Sequence, residues 1–216
     1  MRHPSDDGAR PLPRRRLNRQ RTRERVYVTA LSLFSSQGYA GTSVAQIAEH
    51  AGIGRGTFFN YFPRKDCLVR AWSQERVRKL NHRLAPHLEG PAGSVAALRA
   101  CMSALGDLNE EEPELSAAML TAWVQCGHLF EPRPHHLDAL FACIIERGRA
   151  RGEIRGTASP EQLGALLRDL YFGAVHRWAT RCAEPEPAAG GGPCRPRLHT
   201  ELQLALSMLL RGLTSA

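Results

Sequence analysis

The sequence predicts an all-α protein: a small N-terminal three-helix domain with a helix-turn-helix, then a larger helical domain, about nine helices in all. Three observations predict it. Apolar residues recur at helical spacing along most of the chain, no segment shows the period-two alternation of a half-buried strand, and proline and glycine mostly punctuate the periodic stretches. A chain of 216 residues with 43% hydrophobic side chains is also long enough to bury a sizeable core.

The elements follow in order. Residues 1–18 contain Pro4, Pro11 and Pro13 and no apolar period, which predicts a disordered basic arm. A first helix is expected over 19–37, where Tyr27, Ala30, Leu31 and Phe34 form one stripe and Gly38 ends it. Ser43 and Gln46 have the spacing of a capping box, which opens a second helix over 43–51 with Val44, Ile47, Ala48 and Ala51 on its inner face. Gly52 stands where a left-handed stop is needed, and a short third helix runs over 55–61 until Pro63. A long helix follows over 64–86, then helices near 93–106, 114–129, 135–150, 160–182 and 197–212. The domain boundaries are therefore 19–66 and 67–216, with 183–197 a flexible low-complexity linker between the last two helices.

Charge separates the two regions. Residues 1–80 hold 16 Lys+Arg against 6 Asp+Glu, and residues 81–216 hold 13 against 15, so all the excess positive charge lies in the first third. Arg10, Arg14, Arg15, Arg16, Arg19, Arg21, Arg23 and Arg25 precede or open the first helix, an electrostatic footprint for nucleic acid. No apolar run is long enough to span a bilayer, and the basic N-terminus is followed by no apolar stretch, so a cytoplasmic protein without membrane partners is expected. The six cysteines, scattered and without a C-x-x-C pair, read as reduced thiols.

The stretch "AGIGRGTFFNYF", 51–62, combines Gly52, Gly54 and Gly56 with four aromatics. A phosphate loop needs a Lys-Ser/Thr pair and a dinucleotide loop a preceding strand; neither is present. The remaining reading is a helix-turn-helix whose second helix enters the major groove. Phe58 and Phe62 share one face of that helix and hold it down, while Gly56, Thr57 and Asn60 point away, the glycine leaving room for a duplex.

"FSSQGYAGTSVAQIAEHAGIGRGTFFNYFPRKDCL", 34–68, resembles the DNA-binding domain of the TetR family of bacterial transcriptional repressors. Phe34, Gly38-Tyr39, Thr42-Ser43, Ile47-Ala48, Ala51-Gly52, Gly56-Thr57, Tyr61-Phe62 and Lys65-Asp66-x-Leu68 carry the resemblance, with weaker echoes in "RGEIR" and "SPEQLG" at 151–155 and 159–164. It implies a homodimeric repressor that binds an operator in double-stranded DNA and is released by a small-molecule effector. By position it implies phosphate contacts from Thr42, Ser43, Tyr61 and Lys65 and a groove-facing set of Arg55, Gly56, Thr57 and Asn60. Phe59 stands where the family commonly has tyrosine and is expected to meet a thymine methyl. Gly54 replaces the usual hydroxyl cap.

In the larger domain, Leu163, Leu167, Leu170 and Ala174 repeat at helical spacing, as do Leu202, Leu206, Leu209 and Leu213, which predicts a dimer through a bundle of the last two helices of each chain. Met119, Trp123, Cys126 and Phe130 align on one face and, with Phe141, Ile144 and Tyr171, are expected to line a pocket for a mainly apolar effector. The helix from about residue 64 is the expected lever between pocket and reading head. His128, His135 and His136 near Glu131 lack the spacing of a metal site, and Cys126 with His128 lacks an orienting acid, so no metal, no cofactor and no catalytic residue is expected. Other readings of the same chain are an activator, a thiol-sensing regulator, or a helical small-molecule carrier without operator binding.

Overall fold

The computed structural model describes residues 14–89, 92–127, 136–183 and 197–211. Among them all regular structure is helical: α1 (Arg14–Gly41), α2 (Val44–His50), α3 (Arg55–Phe59), α4 (Asp66–Glu89), α5 (Gly93–Glu110), α6 (Pro113–Gln125), α7 (His136–Ala150), α8 (Pro160–Ala183) and α9 (Leu198–Arg211).

Helix α1 starts earlier than expected, so residues 14–18 are helical and the predicted arm is corrected there. No proline lies between Pro13 and Gly41, and Arg, Leu and Gln are good helix formers, so the helix propagates back to that proline. Residues 1–13 lie outside the described residues, as do 184–196 of the predicted linker; its first residue, Ala183, still belongs to α8. At the other end α1 turns sharply at Gly38, whose φ of 77° suits glycine, and continues to Gly41.

Two apolar cores result. The head core gathers Val26, Tyr27, Ala30 and Phe34 of α1, Ile47 and Ala48 of α2, Phe58 of α3, Phe62, and Leu68 and Val69 of α4. The body core is built from α4, α5, α7, α8 and α9. Gly164 lets α8 lie directly on α7, since a Cβ there would stand 2.6 Å from the Asp138 carbonyl oxygen. The two echoes of the family pattern are structural: Ser159 and Gln162 form the capping box of α8, and the 151–155 turn buries Ile154.

The predicted dimer stripes are corrected. Leu163, Leu167, Ala174, Leu202 and Leu206 are buried inside the protein's own core, and Leu170 and Leu209 are half-buried against it. The five-helix body has enough inner surface to cover both stripes. Leu213 lies outside the described residues.

Candidate nucleic-acid interface and its link to the body

The head presents α3 from a firm base. Ser43 caps α2: its Oγ accepts from the Gln46 N–H at 3.2 Å while Gln46 Oε1 accepts from the Ser43 N–H at 2.8 Å. Gly52, at φ 62°, then turns the chain, and Gly54 opens α3 without a side-chain cap. Phe58 and Phe62 are buried beneath α3. On its other side Arg55, Gly56, Phe59 and Asn60 are exposed and Thr57 is half-buried. Phe59 is 42% exposed, and its ring stands edge-on to Phe58 at 5.5 Å, so a large apolar group is held facing outward. A Cβ at Gly56 would meet nothing within 4 Å, so no internal packing calls for glycine there.

The expected phosphate contacts divide. Ser43 is exposed, and its hydroxyl hydrogen remains available, because the cap uses only its lone pair. Tyr61 is half-buried at the C-terminal edge of α3. Thr42 is corrected: it is 1% exposed, and its hydroxyl donates to the Gly38 carbonyl at 2.8 Å, clipping the end of α1 to the start of α2. Lys65 is half-buried, with its Nζ donating to the Tyr39 and Thr42 carbonyls at 2.8 and 2.9 Å and lying 4.0 Å from the Tyr39 ring centroid. Burial lowers its pKa below the usual lysine value. Two of its three N–H groups organise the corner, and one is left for a phosphate.

Arg14, Arg15, Arg16, Arg19, Arg21, Arg23 and Arg25 are exposed on the first turns of α1; among the described residues none has an ion-pair partner, and the Arg23 guanidinium lies 4.9 Å from the Phe62 ring centroid. Arg10 lies outside them.

Helix α6 joins head to body, which the sequence did not reveal. Leu115, Met119 and Ala122 complete the head core, and Cys126 Sγ donates to Tyr39 Oη at 3.3 Å. Burial, followed by that thiol contact, raises the Tyr39 pKa. Leu120 and Trp123 of α6 reach into a cavity of about 70 Å³ lined by α4, α5, α6, α8 and Leu137 of α7, and Trp123 also touches the head core. Helix α4 also runs through both cores, with Leu68 and Val69 in one and Leu80 and Leu84 in the other.

The expected pocket set is therefore split. Trp123 and Tyr171 line the cavity. Met119 and Cys126 are corrected, because they lie on the side of α6 that packs on the head. Phe141 and Ile144 are corrected as well, because they are buried in the filled body core. Phe130 lies outside the described residues, as do His128, Glu131 and His135. Missed from sequence were Arg76, Asn109 and Trp72. Arg76 sits in the charged run 74–79, which reads as a solvated face; its position four residues after Trp72, over whose ring the guanidinium lies at 4.9 Å, was the available signal. Among the described residues no group of three or more His, Cys, Asp or Glu is placed to hold a metal, and no helix is long and apolar enough to cross a membrane.

Residues 26–72 match the family model described as bacterial regulatory proteins, tetR family. Among curated proteins the chain is similar to the HTH-type transcriptional repressor KstR of Mycolicibacterium smegmatis, 26% identical over 164 residues, 74% of this chain and 78% of that protein. It is also similar to the HTH-type transcriptional regulator BetI of Yersinia pestis, 28% identical over 102 residues, 47% of this chain and 50% of that protein. Among solved structures, Thermus thermophilus FadR, a TetR-family transcriptional repressor in complex with lauroyl-CoA, superposes with a TM-score of 0.66 at 28% identity, covering 90% of this chain and 96% of that one. The ketosteroid transcriptional regulator KstR2 of Mycobacterium tuberculosis shares the fold, with a TM-score of 0.59 at 18% identity over 90% and 95% of the two chains.

Proposed function

From a chain that belongs to the TetR family of bacterial regulatory proteins, we propose a ligand-responsive transcriptional repressor: a cytoplasmic homodimer that binds a pseudo-palindromic operator and releases it when a small, mainly apolar effector enters the body. The observation that carries this reading is α3, anchored by buried Phe58 and presenting Arg55, Gly56, Phe59 and Asn60 outward, in a head whose first helix opens with a row of exposed arginines. The arginines supply sequence-independent attraction to phosphate, and α3 supplies readout. No catalytic step and no cofactor enters this reading.

The dimer face is drawn from what remains exposed on α8 and α9. Leu166, Leu204 and Met208 are 53%, 57% and 65% exposed, with Leu170 half-buried one turn beyond Leu166. Arg177 and Arg181 both bond Glu201, fixing the two helices side by side. A second copy packed on this face gives a four-helix bundle and sets two reading helices on successive turns of the major groove. Replacing Leu204 and Met208 together by glutamate should yield monomers in sedimentation; an unaltered dimer refutes the face.

Coupling runs through α6 and α4. An effector that displaces Leu120 or Trp123 shifts a helix whose far side is head core, and it favours whichever spacing of the two heads its own contacts favour. The lauroyl-CoA complex of the Thermus relative supports an effector with an apolar body.

Enrichment of random duplexes on the purified protein tests the function. An inverted-repeat motif, with affinity falling steeply as salt rises, is the expected result. Arg55→Ala and Asn60→Ala should relax sequence preference. A pool with no enriched motif would leave a small-molecule carrier as the better account.

A further inference from the structure

Arg76 stands in the wall of the α4–α5–α6–α8 cavity, among groups that do not neutralise it. Its Nη2 lies 3.4 Å from Ser116 Oγ and its Cζ 4.9 Å from the Trp72 ring centroid, while among the described residues no carboxylate comes within ion-pair distance. Two nearby acids, Glu112 and then Glu111, act on it only through space, and Glu111 accepts two N–H bonds from Arg83 at 2.7 and 2.9 Å instead. Burial lowers the Arg76 pKa, so the protein bears a cost for keeping a cation there. Beside it Asn109 donates to Tyr171 Oη at 3.0 Å, which leaves the phenol hydroxyl hydrogen free to donate into the cavity. Apart from Ser73 the other walls are apolar, among them Leu80, Leu105, Leu108, Leu120 and Phe172.

We propose that this cavity takes a monocarboxylate with an apolar chain, its carboxylate received by Arg76 and the Tyr171 hydroxyl and its chain lying along α6. The inference rests on reading the body as an effector site and names the chemical class. Planar, forked guanidinium recognition suits a carboxylate, and a half-buried cation without an ion-pair partner supplies the selectivity that an apolar wall lacks. The free volume of about 70 Å³ holds the head group alone. Leu120, Trp123 and Phe172 also form the inner wall of an open cleft of about 540 Å³ between α6 and α8, so the chain gains its room when those three side chains swing aside. The cleft on the opposite side of Trp72 and Arg76 is rimmed by Glu111, Glu112 and Glu114, which repel an anion and leave the α6–α8 side as the entry.

Equilibrium dialysis of the full chain with octanoate, 1-octanol and octanoyl-CoA tests this. The wild-type protein should hold octanoate at least about tenfold more tightly than 1-octanol, and Arg76→Met should erase or reverse that preference while retaining 1-octanol. Arg76→Met replaces a half-buried charge without an ion-pair partner by an apolar chain of similar length and should melt no lower than wild type, so a lost preference is not lost folding. Equal binding of octanoate and octanol by the wild type, no octanoate binding, or undiminished octanoate binding by Arg76→Met overturns the proposal. Binding of octanoyl-CoA without octanoate overturns the carboxylate but preserves an effector site. Octanoate binding through Arg76 with operator affinity unchanged sustains the site and refutes the coupling instead.

Discussion

The head and the body bury their apolar residues under different constraints. Helices α1 to α3 and the start of α4 make a unit too small to complete a core comfortably, and it fills the deficit with Leu115, Met119 and Ala122 from α6. The body closes its core with residues from five helices and leaves unfilled space where α4, α5, α6 and α8 meet. One helix thus plugs a gap on one side and borders a void on the other. Interiors near crystal density pass a displacement on rather than absorb it, and the cavity and the reading head share this one packed helix.

The largest expected effect separates the two cores. Met119→Ala and Leu206→Ala each empty a fully buried site and should each cost about 2–5 kcal/mol in denaturant unfolding. Only Met119→Ala should also lower operator affinity under conditions where the protein remains folded, because its cavity lies under the head. Equal losses of DNA binding from both substitutions would mean that the head is no more tied to α6 than to the rest of the body.

The same contrast explains what was readable in advance. The head is written in local signals: the Ser43 and Gln46 box, the left-handed Gly52 and the Phe58 and Phe62 face all formed as their spacing required. Thr42 misled because a hydroxyl in a DNA-binding motif looks available, and only the nearby Gly38 carbonyl showed where its proton goes. The body was legible as helices but not as contacts. A leucine stripe says that a face is covered without saying by what, so Leu202 and Leu206 on α9 were assigned to a second chain when their own core takes them. Met119 was misassigned in the same way, to the cavity rather than the head.

Lys65 sharpens the comparison at intermediate size. Lys65→Met should leave the Tyr39 and Thr42 carbonyls short of a donor and destabilise the head by about 1–3 kcal/mol, read by hydrogen exchange in α1 and α2. The salt dependence of operator binding should also become shallower by about one phosphate contact if its third N–H reaches DNA. A destabilised head with an unchanged slope would make Lys65 wholly structural.

Gly56 separates folding from function in the opposite sense. Alanine there meets open space, and a helical Gly→Ala change should stabilise the head by up to about 1 kcal/mol. Operator affinity should fall nonetheless, because the added methyl stands on the surface that approaches the duplex. A variant both more stable and equally tight would place the DNA elsewhere on the head.

The smallest effect concerns the uncapped start of α3. Gly54 has φ −68° and ψ 147°, an extended conformation open to any residue, and a Cβ there would sit 3.7 Å from Thr57 Oγ1, an ordinary contact. Serine fits without strain and brings a hydroxyl oxygen that accepts from the exposed N–H groups of the first turn, for a gain of a few tenths of a kcal/mol over glycine. The gain should appear in the head alone, as slower exchange of the α3 amides, with the α7 and α8 amides of the body unchanged. Operator affinity should hold or rise, since a better-ordered α3 loses less freedom on binding. If Gly54→Ser stabilises α3 yet weakens operator binding, the backbone at Gly54 must itself approach the DNA, and the reading surface extends one residue further toward the N-terminus than Arg55.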